Sequence, residues 1–117
     1  MWEIEVTETY EKWHCSLSDK QRARVIATLR LLKTEGPMLC RPYADTVKDS
    51  RFSHMKELRI QSHGEPLRIF FAFSPSRSSV LLCAGNKAGD DKRFYEVMIP
   101  LADHEYTEYL NDLYESR

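Results

Sequence analysis

Met55-Lys56-Glu57-Leu58-Arg59-Ile60-Gln61-Ser62-His63-Gly64-Glu65-Pro66-Leu67-Arg68-Ile69-Phe70-Phe71-Ala72-Phe73 decides the fold. Two strand-like runs, Met55 to Gln61 and Pro66 to Phe73, flank Ser62-His63-Gly64-Glu65. In the first run apolar and polar residues alternate, as in a half-buried strand. A glycine among polar residues between two such runs reads as a hairpin turn. A connection spanning Ser62 to Glu65 sets Gln61 opposite Pro66, Arg59 opposite Arg68 and Glu57 opposite Phe70. One face then carries Leu58, Ile60, Leu67, Ile69, Phe71 and Phe73, and the other carries the two arginines. A slip by one residue would bury Arg59 or Arg68, so the alternation fixes the register.

A third run, Val80 to Gly85, continues towards Lys87 after the turn-rich Ser74-Pro75-Ser76-Arg77-Ser78. The three runs form an antiparallel meander. With Phe73 opposite Val80, Arg68 faces Gly85, and Lys87 projects on the same side near Pro66. Arg59, Arg68 and Lys87 then share one face, with Gly85 leaving a gap among them. Like charges directly opposite each other destabilise a sheet, and arginine cannot relieve this by losing its proton. Such a pair is either satisfied locally by Glu57 or left for an anionic ligand.

Outward from the meander, Trp2, Ile4 and Val6 alternate with polar residues as a short strand. Tyr10, Trp13, His14 and Leu17 recur at helical spacing, so a short helix starts near Thr7. Ser18 with Gln21 fits a capping box. Val25, Ile26, Leu29 and Leu32 stripe the helix it opens, and Gly36-Pro37 stops that helix. Residues 37–53 read as a surface loop. Asp90-Asp91 cap a short helical segment from Lys92 to Met98, ended by Pro100, and Ala102, Tyr106, Tyr109, Leu110 and Leu113 line a final helix. The order β-α-α-β-β-β-α predicts an α+β fold. An N-terminal helical hairpin and a C-terminal helix pack on one face of a small twisted antiparallel sheet. A length of 117 residues predicts a single domain over 1–117.

The formal net charge is −1, unevenly spread. Residues 48–93 hold nine basic and five acidic side chains, a balance of +4, and residues 94–117 hold one basic and six acidic, a balance of −5. The basic middle can meet a polyanion although the whole chain is near neutral. No apolar run reaches the roughly 20 residues that cross a bilayer. Met1-Trp2-Glu3-Ile4-Glu5 lacks the basic and apolar regions of a signal peptide, so a cytoplasmic protein without a membrane partner is expected. Cys15, Cys40 and Cys83 are odd in number and far apart, which reads as reduced thiols. Cys and His lack zinc spacing, and Gly85-Asn86-Lys87-Ala88-Gly89 lacks P-loop spacing, so neither metal nor cofactor is expected.

The quoted stretch, with Leu81-Leu82-Cys83-Ala84-Gly85-Asn86-Lys87 and the Phe94-Tyr95 that follows, resembles the RelE/ParE toxin superfamily, closest to its phage-derived HigB-like branch. The resemblance implies the toxin of a type II toxin-antitoxin system. It implies a metal-independent endoribonuclease that cleaves messenger RNA, often on the ribosome, by attack of a ribose 2′-OH on the adjacent phosphate. Its implied partners are mRNA, the ribosome and a cognate helix-turn-helix antitoxin. By motif position, Arg68, Lys87 and Tyr95 match the family's site residues, and Lys56 and Arg59 match basic residues of the preceding strand. Arg59, Arg68 and Lys87 are the candidate phosphate grip, and Tyr95 stacks on a base or positions the 2′-OH. Glu57 is a candidate base if it lies beside Arg59, and otherwise a salt-bridge partner. His54 and His63 flank the first meander strand and are candidates at its ends, and Lys92 and Arg93 complete the RNA-binding set. Two other functions share this fold. One is non-enzymatic inhibition of DNA gyrase, as in the ParE branch, and the other is an inactive antitoxin-binding module.

Overall fold

The computed structural model describes residues 1–115. Five strands form one sheet: β1 (Glu3–Val6), β2 (Ala44–Thr46), β3 (Lys56–Ser62), β4 (Glu65–Phe73) and β5 (Ser78–Asn86). Their spatial order is β1-β5-β4-β3-β2, so the Leu67-Arg68-Ile69-Phe70-Phe71 run lies at the centre. β3 and β4 pair with Arg59 opposite Arg68, Glu57 opposite Phe70 and Gln61 opposite Pro66, the expected register. The ladder runs one step further, to Ser62 opposite Glu65. The turn is therefore only His63-Gly64, with φ of 51° and 83°. Two successive positive φ values give the tight hairpin turn whose twist matches its strands.

β5 lies antiparallel to β4 with Arg68 opposite Gly85, again as expected. Beyond Phe70 the register shifts. Phe70 meets Cys83 but Phe71 meets Leu81, which leaves Leu82 as the extra residue of a β-bulge. Phe73 consequently faces Ser79 instead of Val80. The sheet is mixed rather than wholly antiparallel, because β1 runs parallel to β5, from Glu3 opposite Ser78 to Val6 opposite Leu81. Within the stretch read as a loop, β2 pairs antiparallel with β3 and sets Asp45 opposite Glu57.

The N-terminal helices form as their caps predict. Thr7 Oγ1 accepts from Tyr10 N at the start of α1 (Glu8–Cys15). Ser18 and Gln21 exchange both capping-box bonds, at 3.0 and 3.2 Å, at the start of α2 (Asp19–Glu35). Gly36 ends α2 at a φ of 54°, where an added Cβ would lie 2.4 Å from the Trp2 ring. Position 36 therefore needs glycine for both its backbone and its neighbour.

α1 and α2 cover one sheet face, where Tyr10, Leu17, Val25 and Leu32 pack with Leu58, Ile60, Leu67, Ile69, Phe71 and Leu81. The last helix, α3 (Asp91–Glu115), covers the opposite face, where Met98, Ile99, Ala102 and Tyr106 pack with Phe70, Ala72, Val80, Leu82 and Cys83. The expectation of all helices on one face is thus corrected. β4 and β5 carry successive apolar residues that do not alternate, and such strands need cover on both sides.

Pro100 does not divide the last helix, which runs unbroken from Asp91 to Glu115. Pro100 and Glu96, whose carbonyl loses its partner, are both exposed. Water can satisfy that carbonyl, while Met98, Ile99, Ala102 and Tyr106 anchor the helix on either side. Burying such side chains contributes ~1.5–3 kcal/mol each, enough to offset the ~3 kcal/mol that proline costs in a helix. Pro100→Ala is therefore expected to stabilise the protein by about 1–3 kcal/mol, read as a higher urea midpoint with an unchanged slope.

Candidate active site

The face covered by α3 stops being apolar at the end where that helix begins. Strand alternation builds the change row by row. Asp45, Glu57, Phe70 and Cys83 lie side by side across β2, β3, β4 and β5, and Arg59, Arg68 and Gly85 form the next row. Two carboxylates thus lie beside two guanidinium groups because residues two apart on a strand share a face.

Glu57 is the centre, 4% exposed although ionisable. Its Oε1 accepts from Tyr95 Oη at 2.8 Å and lies 3.8 Å from Arg68 Nε. Its Oε2 lies 3.4 Å from Arg59 Nη2, which also reaches Asp45 Oδ2 at 3.2 Å. Arg41 holds Asp45 from the other side at 2.9 Å. The Arg41 hydrogen bond, followed by the Thr46 N–H, lowers the Asp45 carboxyl below its ordinary range. Arg68 Nη1 donates to Leu67 O at 3.0 Å. Among the described residues, the Nε groups of Arg59 and Arg68 are buried without a hydrogen-bond partner. The open question of the arginine pair is answered locally: Glu57 and Asp45 compensate the charge.

Lys87 Nζ lies 3.4 Å from Asp91 Oδ2 and 6.0 Å from the centre of the Tyr95 ring. Its backbone N–H donates to Pro66 O at 2.8 Å, which fixes the end of β5. Tyr95 projects from the first turns of α3, with its ring edge-on to Phe70 and Phe94. Gly85 leaves no gap for a ligand: Phe94 fills it, and an added Cβ would lie 3.0 Å from that ring. A cleft of about 370 Å³ opens beside Glu57, Arg59 and Tyr95, walled by Arg41, Asp45 and Lys48.

Of the expected site residues, Glu57, Arg59, Arg68, Lys87 and Tyr95 are brought together. Lys92 lies one turn from Tyr95, in a slightly smaller pocket of about 340 Å³ that shares Asp49, Tyr95 and Ile99 with the cleft. Arg93 is exposed on the first turn of α3, where its N–H donates to Asp90 Oδ1. Lys56 shares the sheet face of Leu58 and Ile60, opposite to Glu57, and donates to Thr46 Oγ1 at 3.2 Å. His54 is exposed in the loop before β3 and pairs with Ser53. His63 is in the hairpin turn, four residues and so roughly 13 Å along the strand from Arg59. Neither histidine reaches the site. Sequence reasoning missed Asp45, Arg41 and Asp91 as its charged neighbours. Asp45 could have been found from Tyr43-Ala44-Asp45-Thr46-Val47, a short strand-like run within the supposed loop. Among the described residues no group of three His, Cys, Asp or Glu side chains gathers to hold a metal ion, and no helix is long and apolar enough to cross a membrane.

Fold and site together define a small RelE-like α+β protein whose sheet ends in a cleft lined by charges of both signs. The phage-derived Gp49-like protein family (DUF891) matches residues 12–107, and the chain belongs to it. It is similar to "Putative toxin HigB3" of Mycobacterium tuberculosis (strain ATCC 25618 / H37Rv), with 45% identity over 100 residues that cover 86% of each chain. It is also 41% identical over 110 residues to "Putative toxin HigB2" of the same organism, covering 93% of this chain and 54% of that protein. The chain thus spans about half of the second relative and most of the first, and it is a HigB-like toxin.

Two outcomes follow from the site's electrostatics. Burial first, then the hydrogen bond and charge of Glu57, raise the Tyr95 phenol from 10.0 to about 12, against the opposing pull of Arg68. A folded chain keeps this proton where an unfolded tyrosine loses it. The ionisation of Tyr95 therefore leaves stability independent of pH below about 10 and lowers it as pH rises from 10 towards 12. Tyr95→Phe is expected to lose less stability over that window, and to lack one late-ionising phenol in an absorbance titration at alkaline pH. Glu57→Ala leaves Arg68, 11% exposed, without its counter-charge. A loss of about 2–4 kcal/mol is expected in urea unfolding, below the full value for a buried pair because Arg59 is partly solvated.

Proposed function

We propose that this HigB-like toxin is an endoribonuclease that cuts messenger RNA without a metal, and that a cognate helix-turn-helix antitoxin restrains it. The observation that carries the reading is the convergence of Arg59, Arg68 and Tyr95 on one buried carboxylate beside an open cleft. The cleft volume falls in the roughly 300–1,000 Å³ typical of small-molecule sites. A scissile phosphate entering there meets Arg59, with Arg41 and Lys48 on the walls. Arg68 stands behind Glu57 at 3.8 Å and Lys87 lies 6.0 Å from the centre of the Tyr95 ring, so both add positive charge close to the cleft.

The ribose 2′-oxygen attacks phosphorus and the bond to the 5′-oxygen breaks. The 5′-oxygen leaves with the bonding pair and takes a proton from water, so the products are a 2′,3′-cyclic phosphate and a 5′-hydroxyl. Tyr95 and Glu57 take up the 2′ proton as a couple: the phenol accepts it while passing its own proton to the carboxylate 2.8 Å away. Charge developing on the phosphoryl oxygens is held by guanidinium groups already in place, and such preorganised donors supply much of the rate in comparable sites. The family relationship supports this reading, and the ribosome is the expected setting for cleavage.

The test is RNA 5′-end mapping after brief expression. New 5′-hydroxyl ends and growth arrest are expected from the parent. Arg68→Ala should reduce both by about 10²–10³-fold, and Tyr95→Phe by about 10²-fold. If Arg68→Ala and Lys87→Ala arrest growth as the parent does, this mechanism is wrong. Arrest with DNA damage and intact RNA would instead assign the toxin to gyrase.

A further inference from the structure

We propose that a second groove, across Arg59 from the Tyr95 cleft, holds the nucleotide adjoining the scissile phosphate, with its base against Tyr43. This rests on the nuclease reading and adds where the RNA lies on either side of the cut. The groove has a volume of about 500 Å³ and runs between α2 and the outer edge of β3. Arg24, Arg59 and Arg68 line it and no acidic side chain does. Tyr43 is 46% exposed, and Ala27 leaves the helix wall low.

Arg59 lines this groove and the cleft of Glu57 and Tyr95 alike. A phosphate held at Arg59, with Arg68 on the groove side, therefore has an open compartment on each side. A phosphodiester joins two nucleosides, so the two compartments match the two halves of one dinucleotide step. The walls combine arginines with an exposed aromatic ring, the pairing by which proteins bind single-stranded nucleic acid.

An acidic peptide is the rival occupant for a basic groove along a strand edge. It would dock by adding a strand, which needs free main-chain groups. Here two of those groups are already taken. Arg59 N donates to Tyr43 O at 2.8 Å, and Gln61 O accepts from Arg24 Nε and Nη2 at 2.9 and 2.7 Å. The Arg24 side chain also lies across this edge, which favours a ligand that uses side chains over an added strand.

The test measures binding of a fluorescent tetraribonucleotide with 2′-O-methyl riboses, which lacks the attacking hydroxyl. Tyr43→Ala should bind about tenfold more weakly, the loss of one base stack, and Tyr43→Phe should bind like the parent. Ala27→Trp fills the groove from an exposed helix position and should weaken binding as much. Equal binding by the parent, Tyr43→Ala and Ala27→Trp overturns the proposal, as does an oligoglutamate peptide binding through Tyr43 where the RNA does not. Tyr43-dependent binding by a parent that never cuts RNA supports the groove and sinks the nuclease reading. Cleavage lost in Arg68→Ala but binding unchanged in Tyr43→Ala sinks the groove alone.

Discussion

Two guanidinium groups set opposite one another in a sheet need a counter-charge that cannot diffuse away. The Arg59–Arg68 pair imposes this constraint, and Glu57 answers it from the neighbouring row of the same face. The carboxylate is buried, so its own desolvation is tolerable only while both arginines and the Tyr95 hydroxyl surround it. Each member therefore holds the others in place. Asp45 shares Arg59 with Glu57, which ties the short edge strand β2 to the same cluster. A site organised in this way is rigid before any ligand arrives, and rigidity is what electrostatic preorganisation requires.

The two helical layers explain why this cluster lies at one end of the sheet. α3 closes the second face over Phe70, Ala72 and Val80. Its first turns bring Phe94 against Gly85 and Tyr95 against Glu57. The helix is both a wall of the core and a carrier of the tyrosine. Phe94, Met98 and Ile99 anchor the half that carries Tyr95, on the near side of Pro100.

Much of this is legible in the residues. Alternation in 55–61 and a polar glycine turn are enough to set Arg59 against Arg68, because the side-chain period of a strand permits no intermediate register. The capping pair Ser18 and Gln21 marks its helix start just as directly. The second covered face was also legible, in the unbroken apolar runs Ile69 to Phe73 and Val80 to Ala84, but period-two reasoning assigned one face to solvent. The bulge at Leu82 leaves no mark in composition, since Leu82 looks like any buried leucine. β2 was hidden by its brevity, and with it Asp45. The two histidines show the reverse error: chemical aptitude drew attention to His54 and His63, whereas chain geometry leaves both away from Glu57. In the same way Lys56 is a basic residue of the right strand on the wrong face.

The parallel pairing of β1 with β5 bears on the order in which the molecule is made. Thr7 Oγ1 donates to Leu82 O at 2.6 Å, across 75 positions of sequence. A nascent polypeptide that has not reached Ser78 offers β1 no partner strand, one short of position 87 lacks both Lys87 and Tyr95, and one short of position 95 still lacks the tyrosine. The first strand waits for the last, and the tyrosine comes after both. A truncated translation product therefore carries the arginines without the architecture that aims them.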